Sequence, residues 1–266
     1  MRLKNWIRHN RDIFRPDDFR YLLKQVTGTP EEESLVLSRD QLSRLDRIKE
    51  SYADGVPLSY LLEKEEFWGL EFLMSPAVLI PRPETELIVE EAIRIIKEKR
   101  FCDILDLCCG SGNIAVSIEK TLGIQIRMYA SDISFEALRV AAGNRDRHHC
   151  TVRLVQSDLF SAFKPDSFDL VISNPPYVAS CDISPALAEP YRAFAGGDDG
   201  MDYLLKIIDQ AVHYLRRGGY LVMEMGSTHR GRLSPYIFAH DSYRIEGWIK
   251  DYAGHWRGVV LQKRQR

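Results

Sequence analysis

The chain has 266 residues, 45% hydrophobic and 28% charged, enough for one large domain or for a medium and a small one. No apolar run reaches the length of about 18 residues that a membrane-spanning helix requires, and a formal charge of -2 argues against a broad nucleic-acid-binding face. The five cysteines, Cys102, Cys108, Cys109, Cys150 and Cys181, form no CxxC pair and no regular spacing with histidine, which argues against structural zinc and for reduced thiols in a cytoplasmic protein.

The opening "MRLKNWIRHNRDIF" is arginine-rich but lacks serine and meets Asp12 early, so it reads as a first surface helix rather than a transit peptide. "PDDFRYLLKQVTG" sets Phe19, Leu22, Leu23 and Val26 at helical spacing and stops on Gly28. "SRDQLSRLDRIKESYADG" opens on Ser38 as N-cap, carries Leu42, Leu45 and Ile48 on one face, and ends at Gly55. Residues 1–62 are therefore expected to form a small helical bundle. In 63–80 the period changes to two: Phe67-Trp68, Gly69 and Phe72-Leu73-Met74 predict a linking hairpin. "PRPETELIVEEAIRIIKEK" then predicts a helix with Pro83 in its first turn and Leu87, Ile88, Ala92, Ile95 and Ile96 as its apolar stripe.

Within 81–266 strands and helices alternate, which predicts an α/β fold with a mostly parallel sheet. Expected strands are 103–107, 125–131, 152–156, 169–173 and 220–225, with helices beginning near Asn113, Ser134 and Gly200. "SYRIEGWIKD" and "WRGVVLQK" have no helix between them and should pair antiparallel at one edge. Arg216-Arg217 and the tail "QKRQR" read as solvated basic ends.

Four motifs fall at the ends of these strands. In "DILDLCCGSGNIAVSI" a strand enters a small-residue turn, Cys108 to Gly112, and then a helix whose N-terminus favours an anion. Read as G-x-G-x-x-A through Gly110, Gly112 and Ala115, the turn also fits a dinucleotide fingerprint. Asp132, twenty residues after Gly112, is a candidate acceptor for two ribose hydroxyls, Ser134 being the better helix cap. Asp158 brings a second acid to the same sheet edge, with Leu159 and Phe160 as an apolar wall. "SNPPYV" ends the next strand: Asn174 and the Pro175 carbonyl offer two acceptors for a planar NH2 group, Pro175 and Pro176 bring no competing donor, and Tyr177 offers a face for stacking. A buried unpaired donor would cost about 1–3 kcal/mol, so such a pair selects for an amide or an adenine amino group. Methyl transfer from a sulfonium then needs mainly alignment and desolvation.

Together, "DLCCGSGNIA", "SDISFEAL", "QSDLF" and "SNPPYV" resemble the motifs of S-adenosylmethionine-dependent methyltransferases that modify planar amino groups. "GVPLSYLL" and "FWGLEFLMSPAVLIPRPETE" are more specific: with "EPYRAFAGGDDGMD", "LRRGGYLVMEMG" and "IKDYAGHWRGVV" they resemble the protein N5-glutamine methyltransferases of peptide chain release factors, the HemK or PrmC family. The resemblance covers nearly the whole chain. It implies a Rossmann-like class I methyltransferase sheet of seven strands with the last pair antiparallel, preceded by a small helical domain (1–62) that recognises the substrate protein. It implies S-adenosylmethionine as cofactor, held by Cys108, Cys109, Gly110, Ser111, Gly112, Asp132, Asp158, Leu159, Asn174 and Thr85. Asn174, Pro175, Pro176 and Tyr177 would hold and activate the glutamine of the Gly-Gly-Gln loop in class 1 release factors. Arg82, Glu84 and Thr85 of "PRPETE" would lie beside the cofactor pocket and close it. The implied protein is a cytoplasmic monomer that needs no metal, membrane or DNA. One departure stands out: relatives carry Gly-Thr where this chain has Cys108-Cys109, and cysteine disfavours the left-handed backbone of such a turn.

Alternatives remain. An adenine-N6 DNA methyltransferase uses the same planar chemistry but must flip a base and grip a duplex. A ribosomal-protein glutamine methyltransferase fits less well with the full "IPRPETE". An NAD-dependent dehydrogenase leaves Asn174 to Tyr177 unexplained, and intact Asn174 and Asp132 argue against a mere binding module.

Overall fold

The computed structural model describes residues 2–28, 35–123 and 126–264. The chain divides into two units, Met1–Glu65 with Met74–Pro76, and Glu66–Leu73 with Ala77–Arg266. The first carries helices α1 (Leu3–Asn10), α2 (Pro16–Thr27), α3 (Arg39–Ala53) and the short α4 (Leu58–Leu61). The first helix turns Leu3 and Trp6 into the interior of this unit. Trp6 stacks on Phe19 with centroids 6.2 Å apart, and its indole N–H donates to Asp46 Oδ1 at 2.9 Å. As its sequence predicts, α2 ends at Gly28, whose φ of 80° is left-handed. Ser38 caps α3 in a full capping box with Gln41, a device worth about 1 kcal/mol. Leu22, Leu23 and Leu45 are fully buried, so this unit has a core of its own.

Strands β1 (Lys64–Phe67) and β2 (Leu70–Leu73) form the expected hairpin, turning on Trp68 and Gly69, both left-handed as a two-residue turn requires. Helix α5 (Thr85–Lys99) starts two residues after Pro83, because Arg82 and Pro83 first close a tight turn onto Thr85 and Glu86. There follow β3 (Asp103–Leu107), α6 (Asn113–Leu122), β4 (Arg127–Asp132), α7 (Phe135–Arg147), β5 (Arg153–Gln156), β6 (Phe168–Ser173), α8 (Asp202–Tyr214), β7 (Leu215–Glu224), α9 (Arg230–Ala239), β8 (Tyr243–Lys250) and β9 (Trp256–Lys263). The expected start of β4 at Gln125 lies outside the described residues.

Two expectations need correction. Strand β7 begins five residues before Tyr220, because Leu215 pairs with Phe168 and an irregularity after it accommodates Gly218-Gly219. Helix α9 was not expected: Pro235 lies inside it and only Leu233 and Ile237 are buried, so its sequence carries little helical signal.

The seven strands are ordered β5-β4-β3-β6-β7-β9-β8, with β9 antiparallel to both neighbours. The chain lays β4 and β5 on one side of β3 and β6 and β7 on the other, which opens a crevice at the carboxyl ends of these strands. Leu107 is in register with Ser131 and Ser173, and Ser173 with Met223. Cys108, Asp132, Asn174 and Glu224 each follow that row by one residue, so the sheet brings them to one level. Among the described residues no helix is long and apolar enough to cross a membrane.

Candidate active site

The turn after β3 is left-handed at Cys108 (φ 62°), Gly110 (φ 52°) and Gly112 (φ 75°). A Cβ at Gly112 would stand 3.1 Å from Cα-attached Cβ of Ala141, so glycine there lets α6 and α7 approach. Cys108 adopts the conformation that its side chain disfavours, at a cost of about 1–2 kcal/mol. Burial, reinforced by nearby Asp132 and Asp106, pushes both Cys108 and Cys109 thiols up, so they stay neutral and unreactive. Cys108→Gly should therefore leave thermal stability nearly unchanged, since relief of strain offsets lost packing and the roughly 0.5–1 kcal/mol entropic cost of glycine. Cys109→Gly, at a buried position with no such strain to relieve, should lose about 1–2 kcal/mol in chemical denaturation.

Asp132 closes β4 with its carboxylate held on both sides: Oδ2 accepts from the Gly110 N–H and Oδ1 from the Ser134 N–H, each at 2.9 Å. Burial raises its pKa and these two bonds oppose the rise. Ser134 caps α7, accepting from the Ala137 N–H at 3.2 Å. Asp158 is exposed, and Leu159 is buried in a left-handed conformation (φ 46°) with its carbonyl accepting from Ser157 Oγ. Two buried oxygens near this edge have no partner among the described residues, Asp106 Oδ1 and Ser131 Oγ. Desolvation pushes Asp106 up to about 8. Buried Asn144 ties the turn to the hairpin, donating to the Ser111 carbonyl at 2.9 Å and pairing with the Leu73 backbone in both directions.

These elements surround a cavity of about 370 Å³, in the size range of small-molecule sites. Cys108, Cys109, Gly110, Ser111, Asp132, Asp158, Leu159, Asn174, Pro176 and Thr85 border it, whereas Gly112, Pro175 and Tyr177 do not. Ser131 and Arg192 also line it, and neither is singled out by the sequence motifs. Arg82 pairs with Glu189, which also accepts from the Ile80 N–H, so the segment before α5 is linked to the one before α8. Glu84 faces Arg257 at 3.4 Å.

Beyond the cavity wall, Asn174 Nδ2 donates to Thr85 Oγ1 at 3.3 Å, and Thr85 donates to Glu224 Oε2 at 2.7 Å. Tyr177 is turned from the cavity: its hydroxyl donates to Glu224 Oε1 at 2.9 Å and its ring meets His229 edge-on. Glu224 is 1% exposed and escapes motif reading, although a carboxylate inside the apolar run "YLVMEM" is itself a signal. The segment from Phe194 through "AGGDDG" braces the Asn174–Tyr177 turn: the Val178 N–H donates to the Phe194 carbonyl at 2.8 Å and the Gly196 N–H to the Val178 carbonyl at 2.9 Å.

Residues 85–230 match the family described as methyltransferase small domain. A release factor glutamine methyltransferase from Koribacter versatilis is 38% identical over 240 residues, 88% of this chain and 83% of that protein. One from Gloeobacter violaceus is 34% identical over 90% of this chain and 88% of its own length. In fold, a methyltransferase from Pyrococcus furiosus superposes with a TM-score of 0.56 at 18% identity, covering 86% of this chain and 100% of that one. With a matched domain spanning more than half its length and such relatives aligned over most of theirs, this chain belongs to the release factor glutamine methyltransferase family.

Proposed function

We propose that the chain methylates the side-chain nitrogen of a glutamine in the Gly-Gly-Gln loop of a class 1 release factor, with S-adenosylmethionine as donor. One observation carries the reading. Asn174, on the cavity wall, spends its NH2 on Thr85 and keeps Oδ1 free of any hydrogen bond among the described residues. The Pro175 carbonyl likewise accepts no backbone bond among them. Of the two, Asn174 borders the cavity, and with the adjoining Pro175 carbonyl it would supply the two acceptors that the N–H bonds of a primary amide need. The release factor itself enters from the names of the relatives.

The cavity suits the donor. Asp132 keeps a second lone pair on each oxygen for a ribose hydroxyl, Ser131 Oγ lacks a partner among the described residues, and Leu159 supplies an apolar wall for a base. Cys108 to Ser111 would border the methionine end. When bound, S-adenosylmethionine supplies an electrophilic methyl group on its sulfonium. The residues of this chain orient the amide nitrogen, draw its lone pair out of conjugation through the two acceptors, and exclude water. Thr85, on the cavity wall, gives its proton to Glu224 and a lone pair to Asn174, so it supports Asn174 and keeps one lone pair. The helical unit, residues 1–62, engages the body of the release factor, and the enzyme works as a cytoplasmic monomer.

The reading is tested by offering radiolabelled methyl donor to a release factor, its Gln→Ala variant, a short Gly-Gly-Gln peptide and adenine-containing DNA. Label should enter the release factor strongly, the peptide weakly, and neither of the others. Label in the DNA, or equal label in the Gln→Ala variant, would overturn it.

A further inference from the structure

A buried carboxylate at the end of β7 is costly, and a well-packed apolar side chain would serve the core as well or better. Glu224 is nevertheless there, with each oxygen taken by one hydroxyl proton, Thr85 on one side and Tyr177 on the other. That arrangement has a direction. Because Thr85 gives its only proton to Glu224, it can meet Asn174 only with a lone pair. Asn174 must then turn its NH2 toward Thr85, which leaves Oδ1 for the acceptor amide.

We infer that Glu224 is a positioning residue for methyl transfer: by accepting both hydroxyl protons, it fixes the flip of the Asn174 amide through Thr85 and anchors the Asn174–Tyr177 turn through Tyr177. The inference rests on the methyl-transfer reading above and adds a residue which that reading does not use. The ionised form is the competent one. A protonated Glu224 becomes a donor on one side; if Thr85 receives that proton it donates to Asn174 instead, and the amide rotates to present N–H groups to an incoming N–H.

Desolvation pushes Glu224 up to about 7, with Glu84 adding to the rise and Arg257 and the two hydroxyls opposing it. Burial pushes the Tyr177 hydroxyl up, Arg257 stays charged beside Asp251, and desolvation lowers His229, which packs on the Tyr177 ring. Because Asp106 is pushed up to about 8 and burial raises Asp132 on the donor side, the acid limb of transfer is shared, and the part that belongs to Glu224 is read from the Asn174 signals.

The test compares the parent with Glu224→Gln, Thr85→Val, Thr85→Ser and the Glu224→Gln/Thr85→Val double variant. It uses donor binding by calorimetry, kcat on release factor, and the side-chain amide NMR signals of Asn174 over a pH range centred on about 7. Each of Glu224→Gln and Thr85→Val should lower kcat about 10- to 100-fold, the equivalent of one lost hydrogen bond to a charged group. The double variant should be no more than about threefold worse than the worse single one, since both cut one chain of bonds. Thr85→Ser should stay close to the parent. In the parent the Asn174 signals should shift with a midpoint near 7, and in Glu224→Gln they should not.

Stability separates positioning from a structural role. A folded-state pKa raised above that of the unfolded chain gives stability that is complete below the unfolded value and lost as pH rises through about 7. Removing the ionisable group should thus leave Glu224→Gln at least as stable as the parent at pH about 8 while its kcat falls. Multiplicative losses in the double variant, or Asn174 signals that do not titrate in the parent, would overturn the inference. The parent titration requires no variant to fold. A parent that transfers no methyl to release factor would instead overturn the reading beneath it, leaving the NMR result to be judged separately.

Discussion

With alanine at position 174, donor binding should change by less than about tenfold while methyl transfer falls by about 10²–10³-fold. The asymmetry follows from how the site divides its work. Under the proposed reading the donor would keep Asp132, the Cys108 to Ser111 turn and Leu159, all of which line the cavity, and lose one wall group. In the proposed reading the acceptor amide would lose one of its two acceptors and with it the alignment on which the step depends. Calorimetry for the donor and single-turnover kinetics for transfer measure the two separately. A variant that retained turnover would remove Asn174 from its role. Asn174→Asp is a sharper version, because it keeps the shape but sets a second carboxylate against the Thr85 hydroxyl. It should lose turnover even where a mere packing role would tolerate it.

Much of this was legible in the sequence for physical reasons. β3, β6 and the turn between β3 and α6 are marked by apolar runs that end in glycine or proline, and the hairpin turn by Trp68-Gly69. Asp132 ends β4, Asn174 directly follows β6 and Asp158 lies two residues past β5, and a parallel sheet necessarily gathers such positions on one edge. What stayed hidden depends on register or on long-range pairing. Glu224 becomes a partner of Thr85 and Tyr177 only because β7 lies beside β6 and α5 starts against both, separations of 139 and 47 residues that no local pattern encodes. The sequence offers Tyr177 as a stacking face, because nothing local reveals that its hydroxyl donates to Glu224. Helix α9 is held by Leu233 and Ile237 against the sheet, and its interior Pro235 erases the local signal. The early start of β7 was masked by Gly218-Gly219. A Cβ on Gly219 would stand 2.9 Å from the Asp169 carbonyl, so the glycine that reads as a loop is what the strand pairing requires.

Gly200→Ala should destabilise the fold by about 2–4 kcal/mol, combining the left-handed penalty with overpacking, and should damage transfer more than donor binding. Gly200 has φ of 77°, and a Cβ there would lie 2.4 Å from the Tyr177 carbonyl oxygen and 3.0 Å from His229 Nε2. The obstacle is backbone, so no side-chain rotation relieves it: either Gly200 moves away or the Asn174–Tyr177 turn moves with it. Gly196 closes the same contact from the next turn, its would-be Cβ 2.8 Å from Tyr177 Cα, which leaves the brace no slack on that side. Displacement of the turn draws Tyr177 from Glu224 and tilts Asn174, so turnover should fall beyond what the lost stability alone explains, measured at a temperature where the variant is fully folded. Gly231→Ala is the control. It lies inside α9 with nothing within 4 Å of the added carbon, and should leave turnover unchanged while gaining about 0.5–1 kcal/mol from helix propensity. A Gly200→Ala protein with the parent's denaturation midpoint and kcat would mean that the glycine-rich segment does not brace the turn, and the prolines alone would have to account for its rigidity.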